Sequence, residues 1–270
     1  MCFYKYILIV LVAMQTCAFS EVHDKVLLIS IPKCGTNLIM KLMGELTHRK
    51  TYLTNDDNFL ILHPRGHALT ARPNYCVTHA IASKQNMEVV YNCDYRAIFI
   101  YRDPRDQVVS LAHYLKNLGS EWPHLIEFSI DQLIEEIIIN IPIMKNNNLW
   151  SMSELNQFQG IDTFYNSFLD WMDHPLVYTT TFEKLIGVHG GGTLEEQLAE
   201  INGIAEHLGY ELSQQEVLQI SNALFGNSGT FRDGKIGSWK YHFTDRHKQL
   251  FKEVAGELLI KLGYETSNDW

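Results

Sequence analysis

Short apolar runs alternate along the chain with longer segments whose apolar positions recur at helical spacing. Three runs, at residues 26–31, 97–101 and 175–178, are too short for helices and predict buried strands. The helical spacing predicts helices over residues 36–48, 104–118, 130–144, 194–208, 216–224 and 246–262. Strands that alternate with helices favour a parallel sheet joined by right-handed crossovers. The pattern therefore predicts a three-layer α/β fold in which helices flank a central parallel β-sheet.

The first strand leads into a junction that is typical of an anion site. It continues at residues 32–37 as Pro-Lys-Cys-Gly-Thr-Asn before the helical pattern begins. The first N–H groups of a helix have no partner inside the helix, and the helix dipole favours negative charge there. Lys33 adds a full positive charge, so the junction predicts a site for a phosphorylated nucleotide. An ordinary strand–turn–helix junction with a solvated lysine explains the same residues about as well.

This junction departs from two familiar nucleotide loops. In a Walker A loop the lysine follows the second glycine, whereas Lys33 precedes Gly35 here. The G-x-G-x-x-G pattern of dinucleotide sites is absent from the sequence as well. A phosphate site at this junction must therefore be of another kind.

A second predicted strand ends in an arginine. Arg102 follows the run at 97–101, and Ser110 lies about two turns into the next helix. Asp103 can cap that helix, and Pro104 suits its first turn. A guanidinium fork and a hydroxyl group can together hold a phosphate. A capped surface helix is the alternative, but it does not explain why a buried strand ends in arginine.

Two further segments complete a set of four whose order is specific. Residues 75–80 read Tyr-Cys-Val-Thr-His-Ala, and residues 231–244 read Phe-Arg-Asp-Gly-Lys-Ile-Gly-Ser-Trp-Lys-Tyr-His-Phe-Thr. The two glycines of the second segment predict a flexible loop. Together the four segments resemble those of the sulfotransferases, which transfer a sulfuryl group from 3′-phosphoadenosine 5′-phosphosulfate (PAPS). The resemblance covers most of residues 25–264 and implies a P-loop-like nucleotide-binding fold.

The resemblance implies a role for each segment. Lys33 would act on the bridging oxygen of the leaving group, and His79 would be the general base for the acceptor's hydroxyl group. PAPS would be the co-substrate, no metal is required, and the acceptor would be a hydroxyl or amine of a small molecule or glycan. The residues implied in nucleotide binding come from the three segments without His79 and from a turn at residues 182–185 that also resembles the family: Lys33, Cys34, Gly35, Thr36, Asn37, Leu38, Arg102, Ser110, Phe182, Arg232, Asp233 and Gly234.

Some positions depart from the family pattern. Asp233 stands where a lysine is usual, and Val77 stands where a lysine is frequent. Phe182 replaces a tyrosine, and Leu38 replaces a tryptophan that stacks on the adenine in the cytosolic enzymes. These departures leave open a nucleotide-binding relative that has lost turnover. A P-loop kinase of small molecules is the second alternative, and it would require Mg²⁺ and ATP.

Composition and charge limit the partners. The 270 residues include 31 acidic and 22 basic side chains, which gives a net charge of −9. This charge argues against nucleic-acid binding, which needs a basic face. An apolar content of 46% is ample for one large domain, predicted to span residues 21–270. The dimer motif of the family is degraded, because Lys240 and Thr244 match it while Asp245 and Gln249 do not.

Residues 1–20 form a separate segment. Lys5 precedes an apolar run at residues 7–14, and Ala-Phe-Ser at residues 18–20 resembles a cleavage site. The segment predicts a secretory signal peptide, or a short membrane anchor if it is not cleaved. A secreted or secretory-pathway protein follows from it, and a cytoplasmic one if the segment is not a signal. The three remaining cysteines favour a reducing compartment, because their odd number is not typical of a disulfide framework.

Aromatic residues in the middle of the chain are candidates for the wall of an acceptor pocket. The part between residues 116 and 170 matches the family least, and variable loops often shape such pockets. Ordinary core packing is the alternative for these side chains. The candidates are Trp122, Phe128, Trp150, Phe158 and Phe164.

Overall fold

A single parallel sheet forms the centre of the molecule. The structure, a computed structural model, describes residues 22–48, 52–53, 74–117, 127–140, 160–226 and 233–270. Five strands pair in the order β2-β3-β1-β4-β5, and every pairing is parallel. The strands are β1 (Lys25–Ser30), β2 (Tyr52–Leu53), β3 (Asn74–Thr78), β4 (Arg96–Tyr101) and β5 (Val177–Thr181).

Nine α-helices occur in the described ranges. They are α1 (Thr36–Thr47), α2 (Lys84–Asn92), α3 (Pro104–Asn117), α4 (Ile130–Ile139), α5 (Ile161–Leu169), α6 (Phe182–Ile186), α7 (Leu194–His207), α8 (Gln214–Leu224) and α9 (Asp245–Lys261). Short 3-10 helices cover Asp170–Asp173, Val188–Gly190 and Ser238–Tyr241.

The sheet is buried on both faces, and β1 shows why its sequence is an uninterrupted apolar run. Successive side chains of a strand point to opposite faces. Leu27 and Ile29 enter one core, which the helices α2–α5 and α9 cover. Val26 and Leu28 enter a second core, which α1 and α6–α8 cover. The predicted three-layer α/β architecture is therefore confirmed.

Most predicted elements are present, with shifted ends. The strand predicted at 175–178 begins only at Val177, because Val177 N–H bonds the His174 carbonyl (3.0 Å) and closes a turn before it. The helix predicted at 130–144 ends at Ile139, shortly before Pro142, whose ring disfavours helical geometry in the residue before it. Helix α2 was not predicted, since it is only nine residues long and spans few helical repeats.

The N-terminal targeting segment lies outside the described residues, so the signal peptide or anchor stays a prediction. None of the helices in the described ranges is long and apolar enough to cross a membrane.

The functional side chains are placed by the ends of the strands. His79, Arg102 and Phe182 immediately follow β3, β4 and β5, and Lys33 follows β1 by a short turn. In a parallel sheet all carboxyl ends lie at one edge, and ligands of open α/β sheets bind there. Four segments far apart in sequence therefore converge at a single edge.

Candidate functional site

A cavity of about 240 Å³ opens at the carboxyl edge of the sheet. It is lined by residues from all four strand ends and from the loop that precedes Ser238–Tyr241. The lining residues are Lys33, Gly35, Thr36, Asn37, Leu38, Met40, Lys41, His79, Arg102, Ser110, Tyr114, Phe182, Ile186, Leu224, Gly226, Asp233, Gly234, Lys235 and Ser238.

The turn between β1 and α1 has a backbone that few residues adopt. Lys33 has a φ of 66° and Gly35 a φ of 113°, both in the left-handed region. A Cβ atom at Gly35 would lie 3.0 Å from Ile100 Cδ1 and 3.2 Å from Phe182 Cδ2. Glycine is therefore required where the turn passes close to β4 and α6. This packing fixes the start of α1 at the wall of the cavity.

The N-terminus of α1 is suited to an anion. Its N-cap, Gly35, has no side chain to cap the first turn, and that turn contains no acidic residue. The hydroxyl groups of Ser30 and Thr36 hydrogen-bond each other (2.9 Å), which ties the turn to the end of β1. The helix dipole places partial positive charge at this end. A phosphate or sulfate group would meet backbone N–H groups rather than a carboxylate.

The Lys33 ammonium lies over an aromatic ring. Its Nζ is 4.0 Å from the centroid of the Tyr114 ring, a cation–π distance. Both residues line the cavity. The contact directs the positive charge of Lys33 towards α3, the helix that also carries Ser110.

His79 is held in one tautomer at the end of β3. Its Nδ1 lies 2.7 Å from the carbonyl oxygen of Ser30, the last residue of β1. A carbonyl only accepts, so Nδ1 carries the proton, and the lone pair of the neutral ring lies on Nε2. Burial lowers the pKa of His79, the Ser30 hydrogen bond opposes this, and the nearby Lys33 ammonium lowers it further. A neutral imidazole with a basic Nε2 is the form that a general base requires.

Arg102 is buried at the end of β4, which pairs with β1 on the side away from β3. Its Nη2 donates to the Lys235 carbonyl (2.5 Å) and lies 3.4 Å from Asp106 Oδ2. Its guanidinium carbon is 4.1 Å from the centroid of the Phe182 ring. Among the described residues its buried Nε has no hydrogen-bond partner. This unpartnered donor supports an anionic ligand beside Arg102, because buried polar groups are almost always satisfied.

A buried carboxylate fastens the last lining loop. Asp106 accepts hydrogen bonds from Gly237 N–H (2.7 Å), Ser238 Oγ–H (3.2 Å) and Trp239 N–H (2.8 Å). The sequence predicted a flexible loop here, but residues 237–239 are anchored on α3. The glycines allow the tight turn into Ser238–Tyr241, and Asp106 then holds that turn beside Arg102.

The structure brings most of the predicted site residues together. Eleven of the predicted residues line the cavity: Lys33, Gly35, Thr36, Asn37, Leu38, His79, Arg102, Ser110, Phe182, Asp233 and Gly234. Arg232 lies outside the described residues, and so do the acceptor candidates Trp122, Trp150 and Phe158. The acceptor candidate Phe164 is instead fully buried in the core that contains Leu27 and Ile29, and Phe128 packs against that core.

Cys34 is the one described site residue that the structure places elsewhere. Its side chain is fully buried, and its Sγ lies 3.2 Å from Tyr165 Oη. Its backbone N–H donates to the Ile31 carbonyl (3.0 Å). Burial raises the pKa of the thiol to about 12. Neither group is offered to a ligand, because the left-handed turn at Lys33 and Gly35 directs the residue between them into the core.

Replacing Cys34 by alanine is therefore expected to leave ligand binding within about twofold of wild type and to lower stability by about 1–2 kcal/mol, through loss of one buried polar contact and some packing. Denaturant unfolding and calorimetric titration of an adenosine bisphosphate measure the two effects. A tenfold weaker affinity in the alanine variant would mean that Cys34 contributes to ligand binding.

Sequence reasoning missed eight lining residues, of which Tyr114, Lys41 and Lys235 bear most on the charge of the site. Tyr114 lies four residues after Ser110 on α3 and therefore on the same helix face, so helical spacing could have found it. Lys41 lies on α1 four residues after Asn37, and its Nζ donates to the Gly226 carbonyl (3.2 Å). Lys235 contributes through its backbone, for which the sequence carries no signal.

No group of three or more histidine, cysteine, aspartate or glutamate side chains is arranged to hold a metal ion in the described part of the chain. The cations that face the cavity belong to lysine and arginine side chains.

Residues 23–263 match a family model described as the sulfotransferase domain. Among curated proteins, Sulfotransferase 6B1 of Mus musculus is 26% identical over 282 aligned positions, which cover 92% of this chain and 82% of the relative. The alignment therefore covers most of this chain and most of the relative.

Solved structures of the same fold are similar over comparable lengths. The mouse sulfotransferase SULT7A1, solved with PAP, superposes with a TM-score of 0.63 at 17% identity and covers 92% of this chain and 90% of its own. A retinol dehydratase solved with retinol and PAP superposes with a TM-score of 0.60 at 15% identity, with coverage of 89% and 83%. Both similarities support the fold of the described residues.

Proposed function

The chain belongs to the sulfotransferase family, and from that premise we propose that its cavity binds PAPS and transfers the sulfuryl group to a hydroxyl or amine of a small-molecule acceptor. The observation that carries the proposal is the convergence of four strand ends on one cavity. Lys33 and His79 come from two neighbouring strands, and Arg102 and Phe182 come from the next two. A nucleotide with phosphate groups at both ends fits this arrangement, because one cation, Lys33, is available for one end and another, Arg102, for the other.

The 5′ end of the nucleotide would lie at the N-terminus of α1. The backbone N–H groups that begin α1 would bind the 5′-phosphosulfate oxygens, and the Lys33 ammonium would neutralise the oxygen that leaves with the nucleotide. Gly35 supports this placement because it has no side chain between the helix end and the cavity. Thr36 and Asn37 would add contacts from the same turn.

The 3′-phosphate would lie between β4 and the anchored loop. Arg102 and Ser110 face the same cavity as Gly234, and the buried Arg102 Nε offers a donor for a phosphate oxygen. Phe182, Leu38 and Leu224 add apolar surface that can pack against the adenine. Asp233 also lines the cavity and would weaken the attraction for an anion at this end.

The transfer itself needs one proton acceptor and fixed positive charge. The acceptor oxygen attacks sulfur and forms the new S–O bond, while the bond from sulfur to the bridging phosphate oxygen breaks. His79 Nε2 takes the proton from the attacking hydroxyl group. Lys33 compensates the charge that develops on the leaving oxygen. Phosphoryl transfer is driven in the same way, by positioning and electrostatics.

An apolar small molecule is the acceptor class that we propose. The structurally similar retinol dehydratase was solved with retinol, an apolar alcohol, beside PAP. The Tyr114 ring adjoins Lys33 in the cavity and offers an apolar surface at the reacting end. The net charge of −9 disfavours strongly anionic glycan acceptors.

Binding of PAP, the desulfated nucleotide, tests the proposal, with AMP as the matched ligand that lacks the 3′-phosphate. In calorimetric titrations we expect wild type to bind PAP more tightly than AMP. Arg102→Gln is expected to lower the affinity for PAP by about 10–100-fold, because charge-assisted hydrogen bonds are lost. The affinity for AMP is expected to change by less than about threefold. Equal losses for both ligands would contradict the 3′-phosphate assignment, and no binding of PAP at millimolar concentration would contradict the function.

Transfer is tested separately with radiolabelled PAPS against phenols, sterols, retinol and sugars. Label in an acceptor that persists with a metal chelator present is expected. Binding of PAP without any transfer would instead identify the protein as a nucleotide-binding relative.

A further inference from the structure

The guanidinium group of Arg105 contacts two indole rings that meet at a corner outside the cavity. Its central carbon is 4.1 Å from the centroid of the Trp239 ring and 4.6 Å from that of the Trp270 ring. The two indoles meet edge to face, with centroids 5.3 Å apart and an interplanar angle of 84°. Arg105 is only 3% exposed, so this cation is almost entirely removed from water. We call Arg105, Trp239 and Trp270 the indole clamp.

Carboxylates fix the orientation of the same guanidinium. Asp103 accepts from Arg105 Nε (3.0 Å) and Nη2 (2.8 Å), and Glu265 accepts from Nη1 (2.5 Å). Glu265 and Trp270 both belong to the segment that follows α9. All three guanidinium nitrogens are therefore paired, and the Trp239 and Trp270 rings meet at a corner that holds the group. A planar cation held in this way cannot turn without breaking several contacts.

The clamp is connected to the cavity through residues that line it. Trp239 N–H donates to Asp106, which also holds Gly237 and Ser238. Ser238 lines the cavity directly, whereas no member of the clamp does. Trp270 is therefore linked to the cavity through the position of Trp239.

We propose that Trp270 is a positioning residue for the nucleotide: its indole contacts Arg105 and packs edge to face on Trp239, and so keeps Trp239 and the loop at 233–238 in the geometry that binds the 3′-phosphate. The inference rests on the proposed function. Without an aromatic ring at position 270, Arg105 loses one of the two rings that contact it, and Trp239 loses its edge-to-face partner. The loop then samples other positions, and nucleotide affinity falls while the reacting end, at Lys33 and His79, is unchanged.

Two substitutions of similar bulk separate this role from simple packing. Trp270 also packs against Phe251, with ring centroids 6.1 Å apart, so both substitutes must be apolar. Trp270→Leu keeps an apolar side chain but offers no π-face to a cation, whereas Trp270→Phe keeps an aromatic face. A residue that only fills space would tolerate both changes about equally.

The experiment measures PAP affinity by calorimetry and steady-state kinetics with PAPS. For Trp270→Leu we expect the Kd for PAP and the KM for PAPS to rise about tenfold, and kcat to stay within about twofold of wild type. Trp270→Phe is expected to restore both constants to within about threefold of wild type. Leu133→Ala serves as the stability control, because Leu133 is fully buried on α4 and does not line the cavity.

Three results would overturn the inference. They are wild-type affinity in Trp270→Leu, an equal loss in Trp270→Leu and Trp270→Phe, and an equal loss in Leu133→Ala. Failure of the wild type to bind PAP is a distinct result, because it would overturn the proposed function and this inference with it.

Discussion

Replacement of His79 by alanine is expected to lower kcat by about 10²–10⁴-fold, the range in which positioned general bases contribute. The affinity for PAP should stay within about threefold of wild type, because the proposed binding mode places His79 at the reacting end and not at the 3′-phosphate. Pre-steady-state or initial-rate assays with a responsive acceptor measure the first effect, and calorimetry measures the second. Full activity in the alanine variant would show that His79 is not the general base.

The pH dependence gives an independent check on the same residue. A base works only when it is neutral, so activity is lost as the pH falls through the pKa of His79. Burial lowers that pKa, and therefore the acid limb of kcat/KM should have its midpoint below about 6.5, the usual histidine value. The wild-type profile should be flat from there through neutral pH. An acid limb centred above the usual value would contradict the buried, neutral imidazole.

His79→Gln is the control that separates proton transfer from local structure. Its amide can still donate to the Ser30 carbonyl, as His79 Nδ1 does at 2.7 Å. It has no group that takes up a proton near neutral pH. We expect it to be as inactive as the alanine variant and as stable as wild type. If the glutamine variant recovered most of the activity, the role of His79 would be structural.

The strand ends could be predicted from the sequence because their signals are local. A buried strand needs apolar residues, and each run here ends at a polar or glycine-containing turn with a distinct charge, as at Lys33 and Arg102. Parallel pairing then places all carboxyl ends at one edge, whatever the exact strand order. For these reasons the fold class and most of the cavity wall follow from short segments.

Two features of the site are not visible in the residue pattern, one a contact between distant parts of the chain and the other a local backbone conformation. Asp106 resembled an ordinary charge in the first turn of a surface helix, since the three groups that donate to it lie 131 to 133 residues later. Cys34 was assigned to the site because it lies within the right motif. Its direction, however, is set by the left-handed backbone of its two neighbours, and a residue pattern does not show this.

The indole clamp could not have been predicted either, although all its members are conspicuous residues. Arg105 and Trp239 lie in two of the four motifs, and Trp270 lies in neither. The sequence gives no reason to pair a residue from the segment after α9 with the start of α3. Only the packing of α9 against α4 and α5 brings that segment to Arg105.

Replacement of Lys33 by methionine is expected to lower kcat/KM for PAPS by about 10²–10³-fold, the usual cost of losing one group that stabilises developing charge. Methionine keeps an unbranched side chain at a position with a φ of 66°, so the backbone penalty is similar and the charge is the main change. Lys41→Met is the matched control, because Lys41 also lines the cavity but lies farther along α1. The kcat/KM of that variant for PAPS should fall by less than about tenfold, since the substitution lowers only the general positive potential of the cavity. Equal losses in the two variants would mean that the cavity needs total positive charge rather than an ammonium at the leaving oxygen, and the role proposed for Lys33 would then be wrong.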